Sequence, residues 1–301
     1  MAYVTGTAKS IYELMEKANT LLTSIGWEEH YKITTTVDGN TVLYNCIYKS
    51  TNEVDDEIFL QMRTDLVTNE KIYLDSITGI DELLLPWEQP GSISQWLHVE
   101  NKNEMKNQPI LSLAYGEIFH YWMFANKTRF VVVARESIDY ESAYMGFILP
   151  MQSDRQYSYP VYIGGNCLSS SKYPKTYGSF LNTDSNNFLR RPDGQWTQFD
   201  NVLPKSSVLQ SCFFPYYCNN KHLVTVQDDE KYGEQNHWLV YPIIIPMDNS
   251  SRMCGELDGV IWISGTKDLF TEDMLILGDS TYLVFDSKRY RDTDSYFAIK
   301  M

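Results

Sequence analysis

The sequence predicts an α+β protein, predominantly antiparallel β-sheet with an N-terminal amphipathic helix and long loops. Three observations support this fold class: one helical periodicity near the start, about a dozen short segments rich in Val, Ile, Thr and Tyr, and turn residues between them. The 301 residues suffice for one large domain or two ordinary ones. We expect a single unit over 1–301. A subdivision near residue 160 stays open, between 1–160 (helix plus sheet) and 161–301 (loop-rich β region).

The helix is expected from about Ser10 to Ile25. Apolar residues recur there at steps of three and four, which places them on one face. Ser10 and Glu13 have the spacing of a capping box, and Gly26 stands where a helix would end. The polar face carries both signs of charge, so we expect the helix to lie on a sheet rather than on a membrane. The apolar positions are Ile11, Leu14, Met15, Ala18, Leu21, Leu22 and Ile25.

Two strands follow, Tyr31–Val37 and Thr41–Tyr48, with the hairpin turn signal Asp38-Gly39-Asn40 between them. Three consecutive antiparallel strands are predicted between residues 110 and 150. The apolar run Phe130–Ala134 among them is typical of a strand covered on both faces. The strands predicted beyond the first hairpin are Glu57–Met62, Lys71–Leu74, Tyr115–Phe124, Arg129–Arg135, Ala143–Leu149, Val208–Phe214, His222–Val226, His237–Ile245, Gly259–Ile263, Tyr282–Phe285 and Tyr296–Ile299.

Loops are predicted where Gly, Pro, Ser and Asn accumulate. Leu83–Gly91 contains two prolines, and Pro160–Lys205 is rich in Ser, Asn, Gly, Pro and Tyr. In this second stretch, Gly164-Gly165-Asn166, Ser169-Ser170-Ser171 and Pro192-Asp193-Gly194 indicate long surface loops.

The charge balance argues against two classes of partner. Asp and Glu number 39 against 25 Lys and Arg, which gives a net charge of −14. This excess disfavours sequence-specific nucleic-acid binding, which needs a basic face, and docking on an anionic membrane. The longest apolar stretch, Trp238–Met247, is about half of the ~20 residues that a spanning helix needs, and two prolines interrupt it. No signal-peptide pattern is visible, so we expect a soluble protein that folds in a cytoplasm.

No catalytic signature is found in the sequence. It lacks a G-x-S-x-G elbow, a P-loop, a dinucleotide glycine fingerprint and an H-E-x-x-H motif. We therefore expect no enzyme, and we assign no catalytic, cofactor-binding or metal-ligating residue and no cofactor. The cysteines are expected to be small buried side chains or free thiols, and His120 and His237 to be packed or hydrogen-bonded. The cysteines and histidines are Cys46, Cys167, Cys212, Cys218, Cys254, His30, His98, His120, His222 and His237.

Carboxylates and aromatic rings leave two functions open. Asp55-Asp56-Glu57 and Asp228-Asp229-Glu230 are charge runs in turns, and Asp292-Thr293-Asp294 lacks the glycine and the distal glutamate of a calcium loop. Aromatic residues make up 14% of the chain. Such residues fill β cores and protein interfaces, and they also stack on sugars. Sugar binding needs a groove in addition, so we expect the aromatic residues to fill the core and a protein interface.

Several segments follow, in a consistent order along nearly the whole chain, the pattern of one protein family. They are Gly26-Trp27 after the opening helix, Thr78-Gly79-Ile80 with Trp87-Glu88-Gln89-Pro90-Gly91 (TG-x … W-x-QPG), Tyr121–Ala134 (YWFFAN-x-x-RFIVVA), Gly146-Phe147, Tyr159-Pro160, Gly164-Gly165-Asn166, Pro192–Trp196, Gly255–Val260, Tyr282–Phe285 and Asp294–Ile299. With them the chain resembles virion structural proteins of tailed bacteriophages.

The resemblance implies a shared fold and a place in a phage particle, and it carries over no site residue. The resemblance leaves three positions in the particle open: the tail, the neck and the baseplate. The chain is then expected to be a non-enzymatic homo-oligomer, built as a symmetric ring with neighbouring virion proteins. It would be made in the bacterial host cytoplasm and located in the virion. The alternative is a carbohydrate-binding or glycan-degrading protein that recognises the host surface.

Overall fold

Most of the described chain is antiparallel β-structure, with one long helix near its start. A computed structural model describes residues 1–37, 40–64, 71–84, 88–97, 108–113, 118–151, 158–166, 179–181, 185–199, 240–246, 253–264, 269–286 and 295–301. The helices are α1 (Ile11–Ser24) and α2 (Ile93–Trp96). The strands are β1 (Ala2–Ala8), β2 (Glu28–Val37), β3 (Asn40–Thr51), β4 (Glu57–Thr64), β5 (Lys71–Ile77), β6 (Ile110–Ser112), β7 (Phe119–Ala125), β8 (Arg129–Glu136), β9 (Asp139–Pro150), β10 (Val161–Asn166), β11 (Ser185–Arg190), β12 (Trp196–Phe199), β13 (Val240–Pro246), β14 (Met253–Ser264), β15 (Met274–Leu277), β16 (Ser280–Asp286) and β17 (Ser295–Lys300). The predicted fold class is thereby confirmed.

Helix α1 lies where the sequence predicts it. The Ser10 hydroxyl accepts a hydrogen bond from the backbone N–H of Glu13 (3.2 Å), and the Glu13 carboxylate accepts one from the N–H of Lys9 (2.9 Å). The first contact satisfies a donor that a helix start leaves open, and the second ties the residue before the N-cap to the first turn. The buried face of the helix consists of Ile11, Leu14, Met15, Ala18, Leu21 and Leu22.

The strands form two connected sheets. In sheet A, one run is β2-β3-β4-β5-β6 and a second run is β1-β7-β8-β9-β10-β11-β12. The two runs join where Asn166 of β10 pairs with Ile110 of β6. Sheet B has the order β13-β14-β17-β16-β15. Strand β9 connects the sheets, because its residues Ile148–Pro150 pair with Leu257–Gly255 of β14.

Strand β8 shows that sheet A lies between two other layers. All residues of Phe130–Ala134 are buried. Phe130 and Val132 belong to the core beneath α1, whereas Val131 and Val133 belong to the core shared with sheet B. Because successive side chains of a strand point to opposite faces, both faces of β8 are covered. This confirms the prediction made from the continuous apolar run.

The predicted hairpins are also confirmed. β2 and β3 pair as expected, and residues 38–39 of their turn lie outside the described residues. β7, β8 and β9 are the three antiparallel strands predicted between residues 110 and 150. The predicted strands Val208–Phe214 and His222–Val226 lie outside the described residues.

The loop prediction is wrong for part of Pro160–Lys205. Gly164-Gly165-Asn166 belongs to β10, which is buried between β9 and β11, and β11 and β12 form a further hairpin. A Cβ at Gly165 would lie 2.6 Å from the carbonyl oxygen of Ile110, so glycine permits the close approach of β6. Pro192-Asp193-Gly194 does form a turn, between β11 and β12, and Ser169-Ser170-Ser171 lies outside the described residues. The subdivision near residue 160 stays a prediction.

Candidate functional site

Two hairpins meet where β9 passes from sheet A to sheet B. β9 pairs with β8 along its first part and with β14 along its last residues. The turn between β7 and β8 brings Asn126, Thr128 and Arg129 to this point, and β14 brings Asp258. These four residues are called the junction cluster below.

The Asp258 carboxylate is the centre of the junction cluster. Its Oδ2 accepts hydrogen bonds from Nδ2 of Asn126 (2.9 Å) and Nε of Arg129 (3.1 Å), and Oγ1 of Thr128 lies 3.0 Å away. The Arg129 side chain is 0% exposed and that of Asp258 19%. A guanidinium removed so completely from water needs a carboxylate partner, because an unpaired buried charge is very costly.

Asn126 shapes the turn that presents Arg129. Its Oδ1 accepts hydrogen bonds from the backbone N–H groups of Thr128 and Arg129, both at 2.8 Å. This is the local backbone bonding that favours Asn in turns. The carbonyl of Asn126 accepts the indole N–H of Trp27 (2.7 Å), so the turn is also attached to the segment that follows α1.

The backbone of β14 is fitted closely against Arg129. Gly259 has a left-handed φ of 60°, and a Cβ there would collide with the Arg129 guanidinium. The Tyr144 hydroxyl donates to the carbonyl of Phe147 (2.7 Å) and accepts the N–H of Asp258 (3.3 Å). Burial raises the pKa of Tyr144, and the nearby Asp258 carboxylate raises it further, so the phenol keeps the proton that it donates.

Three of the segments that carry the resemblance meet here. They are the hairpin Tyr121–Ala134, the pair Gly146-Phe147 and the segment Gly255–Val260. The contacts of the junction cluster are made mainly among these segments themselves. The junction cluster therefore contributes to how sheet B joins sheet A.

A buried carboxylate, that of Asp75 in β5, holds the start of α2. Burial raises the pKa of Asp75 to about 6, while the backbone donors and the charge of Arg63 limit the rise. Burial also lowers the pKa of Arg190 to about 10, and Asp75 opposes that shift. The donors to Asp75, at 2.8–3.1 Å, are the N–H groups of Ser76 and Ile93, the Ser94 hydroxyl and the Gln108 amide.

A third polar group lies nearer the surface, between β7–β9 and the segment before β15. The Arg135 guanidinium pairs with the Glu272 carboxylate, and the Tyr140 hydroxyl donates to the same carboxylate (2.7 Å). Arg135 also lies over the ring of Trp122, 5.5 Å from its centroid, and exposed His120 stacks beside that ring at 6.5 Å. The side chains of Arg135 and Glu272 are 28% and 34% exposed, so solvent weakens their pairing.

The residues weighed for chemistry in the sequence are spread over the structure. Cys46 and Cys254 are buried free thiols, as predicted. Burial raises the pKa of both to about 11, which makes them poor nucleophiles at neutral pH. Asp56 accepts the N–H of Tyr159 (2.8 Å), so this acidic turn has a structural contact. Outside the described residues lie Cys167, Cys212, Cys218, His98, His222, His237, Asp228–Glu230 and Asp292–Asp294.

Within the described ranges, no three His, Cys, Asp or Glu side chains come together in a way that could hold a metal ion. The same residues contain no helix long and apolar enough to cross a membrane. A small void beneath α1 is lined by apolar side chains, which offer no polar group to a ligand. They are Leu14, Met15, Ala18, Met62, Ile72, Leu74, Leu111, Met123, Phe130 and Val132.

Sequence reasoning did not find the pairing of Arg129 with Asp258, which lie 129 positions apart. In the sequence the two residues stand only as members of the segments Tyr121–Ala134 and Gly255–Val260, and no local pattern links one segment to the other. No protein-family model matches this chain, and a search of curated proteins gives no match.

Proposed function

We propose that this protein is a non-enzymatic structural component of a tailed-phage particle, in the tail, neck or baseplate. It assembles through protein–protein contacts as a symmetric ring. The observation that carries the proposal is the meeting of three phage-like segments in the junction cluster. Their residues hold two sheets together, and a scaffold protein acts through the shape that such contacts maintain.

The charge of the chain supports the same role. A net charge of −14 suits contact with basic patches of neighbouring proteins. It also suits a lumen through which DNA must slide without sticking, because an acidic wall repels phosphates.

The test is to purify tailed particles from cells that produce this chain and to label them with an antibody against it. We expect the chain to co-purify and the label to mark one fixed position on every particle. A chain that is absent from the purified particles would contradict the proposal.

A second candidate function, binding of host-surface carbohydrate, is favoured by Trp96. This side chain is 39% exposed at the end of α2, whereas Trp27, Trp122 and Trp196 are buried. An exposed indole can stack on a sugar ring. Glycan-array binding that is lost in Trp96→Ala would support this function, and an array without signal would remove it.

A further inference from the structure

The outer strands of the two sheets differ in how they are protected. An edge strand presents unpaired backbone groups that another strand can bind, and charges, prolines or bulges normally prevent this. Edge strand β2 carries exposed Glu28 and Glu29 and a register shift, and β13 contains Pro242 and Pro246. Strand β15 has none of these features and pairs only with β16 among the described strands.

At the same positions, strand β15 exposes apolar side chains and has backbone groups that no other described strand bonds. Met274 is 70% and Ile276 74% exposed. Thr281, which pairs with Ile276, directs its carbonyl away from β15, where it accepts the N–H of Met301 (2.8 Å). Because bonding alternates along an antiparallel pair, the N–H and C=O groups of Ile276 and Met274 point to the outer edge.

The charges beside β15 indicate what can pair with it. Residues 269–286 contain acidic side chains and no Lys or Arg. Two β15 strands paired antiparallel would bring Asp273 of one copy near Asp279 of the other, and like charges there are unfavourable. The acidic residues of this segment are Glu272, Asp273, Asp279 and Asp286.

Among the other outer strands that the structure describes, β1 alone suits pairing with this acidic segment. Strand β2 carries glutamates, β12 is flanked by Asp193 and Asp200, and β13 contains prolines. The first acidic residue of the chain is Glu13, and β1 is followed by Lys9.

The outer edge of β1 pairs with no other described strand. In the β7–β8 hairpin the N–H of Asn126 donates to the carbonyl of Arg129. This bond fixes which residues of β7 direct their backbone groups toward β8 and which direct them toward β1. In this alternation the N–H of Thr7 points away from β7, to the outer edge of β1.

We propose that β15 of one copy pairs with the outer edge of β1 of a neighbouring copy. This contact rests on the proposed function, because it would be the joint between copies in the assembly. It connects two different edges, so it can repeat from copy to copy and close into a ring.

The test compares three purified variants with the parent chain by size-exclusion chromatography with light scattering. Ile276→Lys places a charge on the β15 edge, and Thr7→Pro removes an outward N–H from β1 while the N–H groups that face β7 are kept. The matched control is Ile138→Lys, because Ile138 is 76% exposed but lies in the β8–β9 turn. We expect the parent and the control to be oligomers and the other two variants to be monomers.

An equimolar mixture of Ile276→Lys and Thr7→Pro separates an altered contact from misfolding. The first variant keeps β1 and the second keeps β15, so together they should form a one-to-one complex. A mixture that stays monomeric, or an Ile276→Lys variant that assembles like the parent, would overturn the contact. An intact oligomer of Ile276→Lys leaves the proposed structural role standing. A parent chain that stays monomeric at high concentration would overturn the contact between β15 and β1. Absence of the parent chain from purified particles would overturn the proposed structural role.

Discussion

The junction cluster and the β15 edge distribute polar and apolar groups in opposite ways. At the junction cluster, a guanidinium and a carboxylate are withdrawn from water and paired with each other. At β15, Met274 and Ile276 are exposed while acidic residues flank them. Buried polar contacts help to fix how the two sheets of one copy join, and in the proposed contact an exposed apolar edge receives another copy. Changes at the first region should therefore alter stability, and changes at the second should alter assembly.

The largest effect is expected for Asp258→Ala. This change leaves the fully buried Arg129 guanidinium without its partner, which typically costs about 3–5 kcal/mol in the free energy of unfolding. Chemical denaturation followed by tryptophan fluorescence measures it. The matched control Glu82→Ala, which removes the same charge from an exposed position, should change stability by less than about 0.5 kcal/mol. Equal effects of the two changes would show that the junction cluster does not hold the sheets.

The next effect concerns the helix that covers sheet A. Leu14 lies on the buried face of α1, so Leu14→Ala should lower the free energy of unfolding by roughly 2–5 kcal/mol through lost burial and a cavity. Leu83, 94% exposed, supplies the control Leu83→Ala. Thermal unfolding of both variants measures the difference. An unchanged melting temperature for Leu14→Ala would mean that this face of the helix contributes no packing.

The third effect depends on pH. The folded-state pKa of Asp75, about 6, lies above the ordinary value of 3.8. The folded state thus binds the proton more tightly, and this stabilisation is complete below about pH 4 and lost as the pH rises through about 6. Relative to Asp75→Asn, the parent should lose on the order of 3 kcal/mol between these limits. Urea unfolding at a series of pH values measures both chains, and parallel pH profiles would contradict the expected shift.

The smallest effect is expected for Glu272→Gln, near the start of β15. The Arg135–Glu272 pair is about one-third exposed, so its loss should cost less than about 1 kcal/mol. Melting curves at low and high salt measure the change, which should shrink with salt. A cost as large as that of Asp258→Ala would remove the contrast between the two regions.

Local patterns predicted much of the fold. The capping box and the spacing of apolar residues gave α1, and Phe130–Ala134 indicated a strand covered on both faces. Strands β1 and β10 were missed because they contain glycines or few apolar residues. These segments are strands because β7, β9 and β11 pair with them, and no local pattern records that pairing.

The candidate site was less accessible from the sequence. Arg129 and Asp258 become partners only after β9 has joined the two sheets, and Asp75 becomes buried only when α2 packs on β5. Each of these residues, considered alone, is of a common type and gives no indication of its later partner or burial. The edge at β15 was missed for another reason: four residues form too short a run for periodicity to identify a strand.

We propose that this chain acts by assembling into a particle rather than by transforming a substrate. Quantitative mass spectrometry of purified tailed particles, with copy number referred to an abundant virion protein, tests it most directly. A ring component should be present at one fixed number of copies per particle, reproduced between preparations. Trace amounts that vary between preparations, or none at all, would contradict the claim.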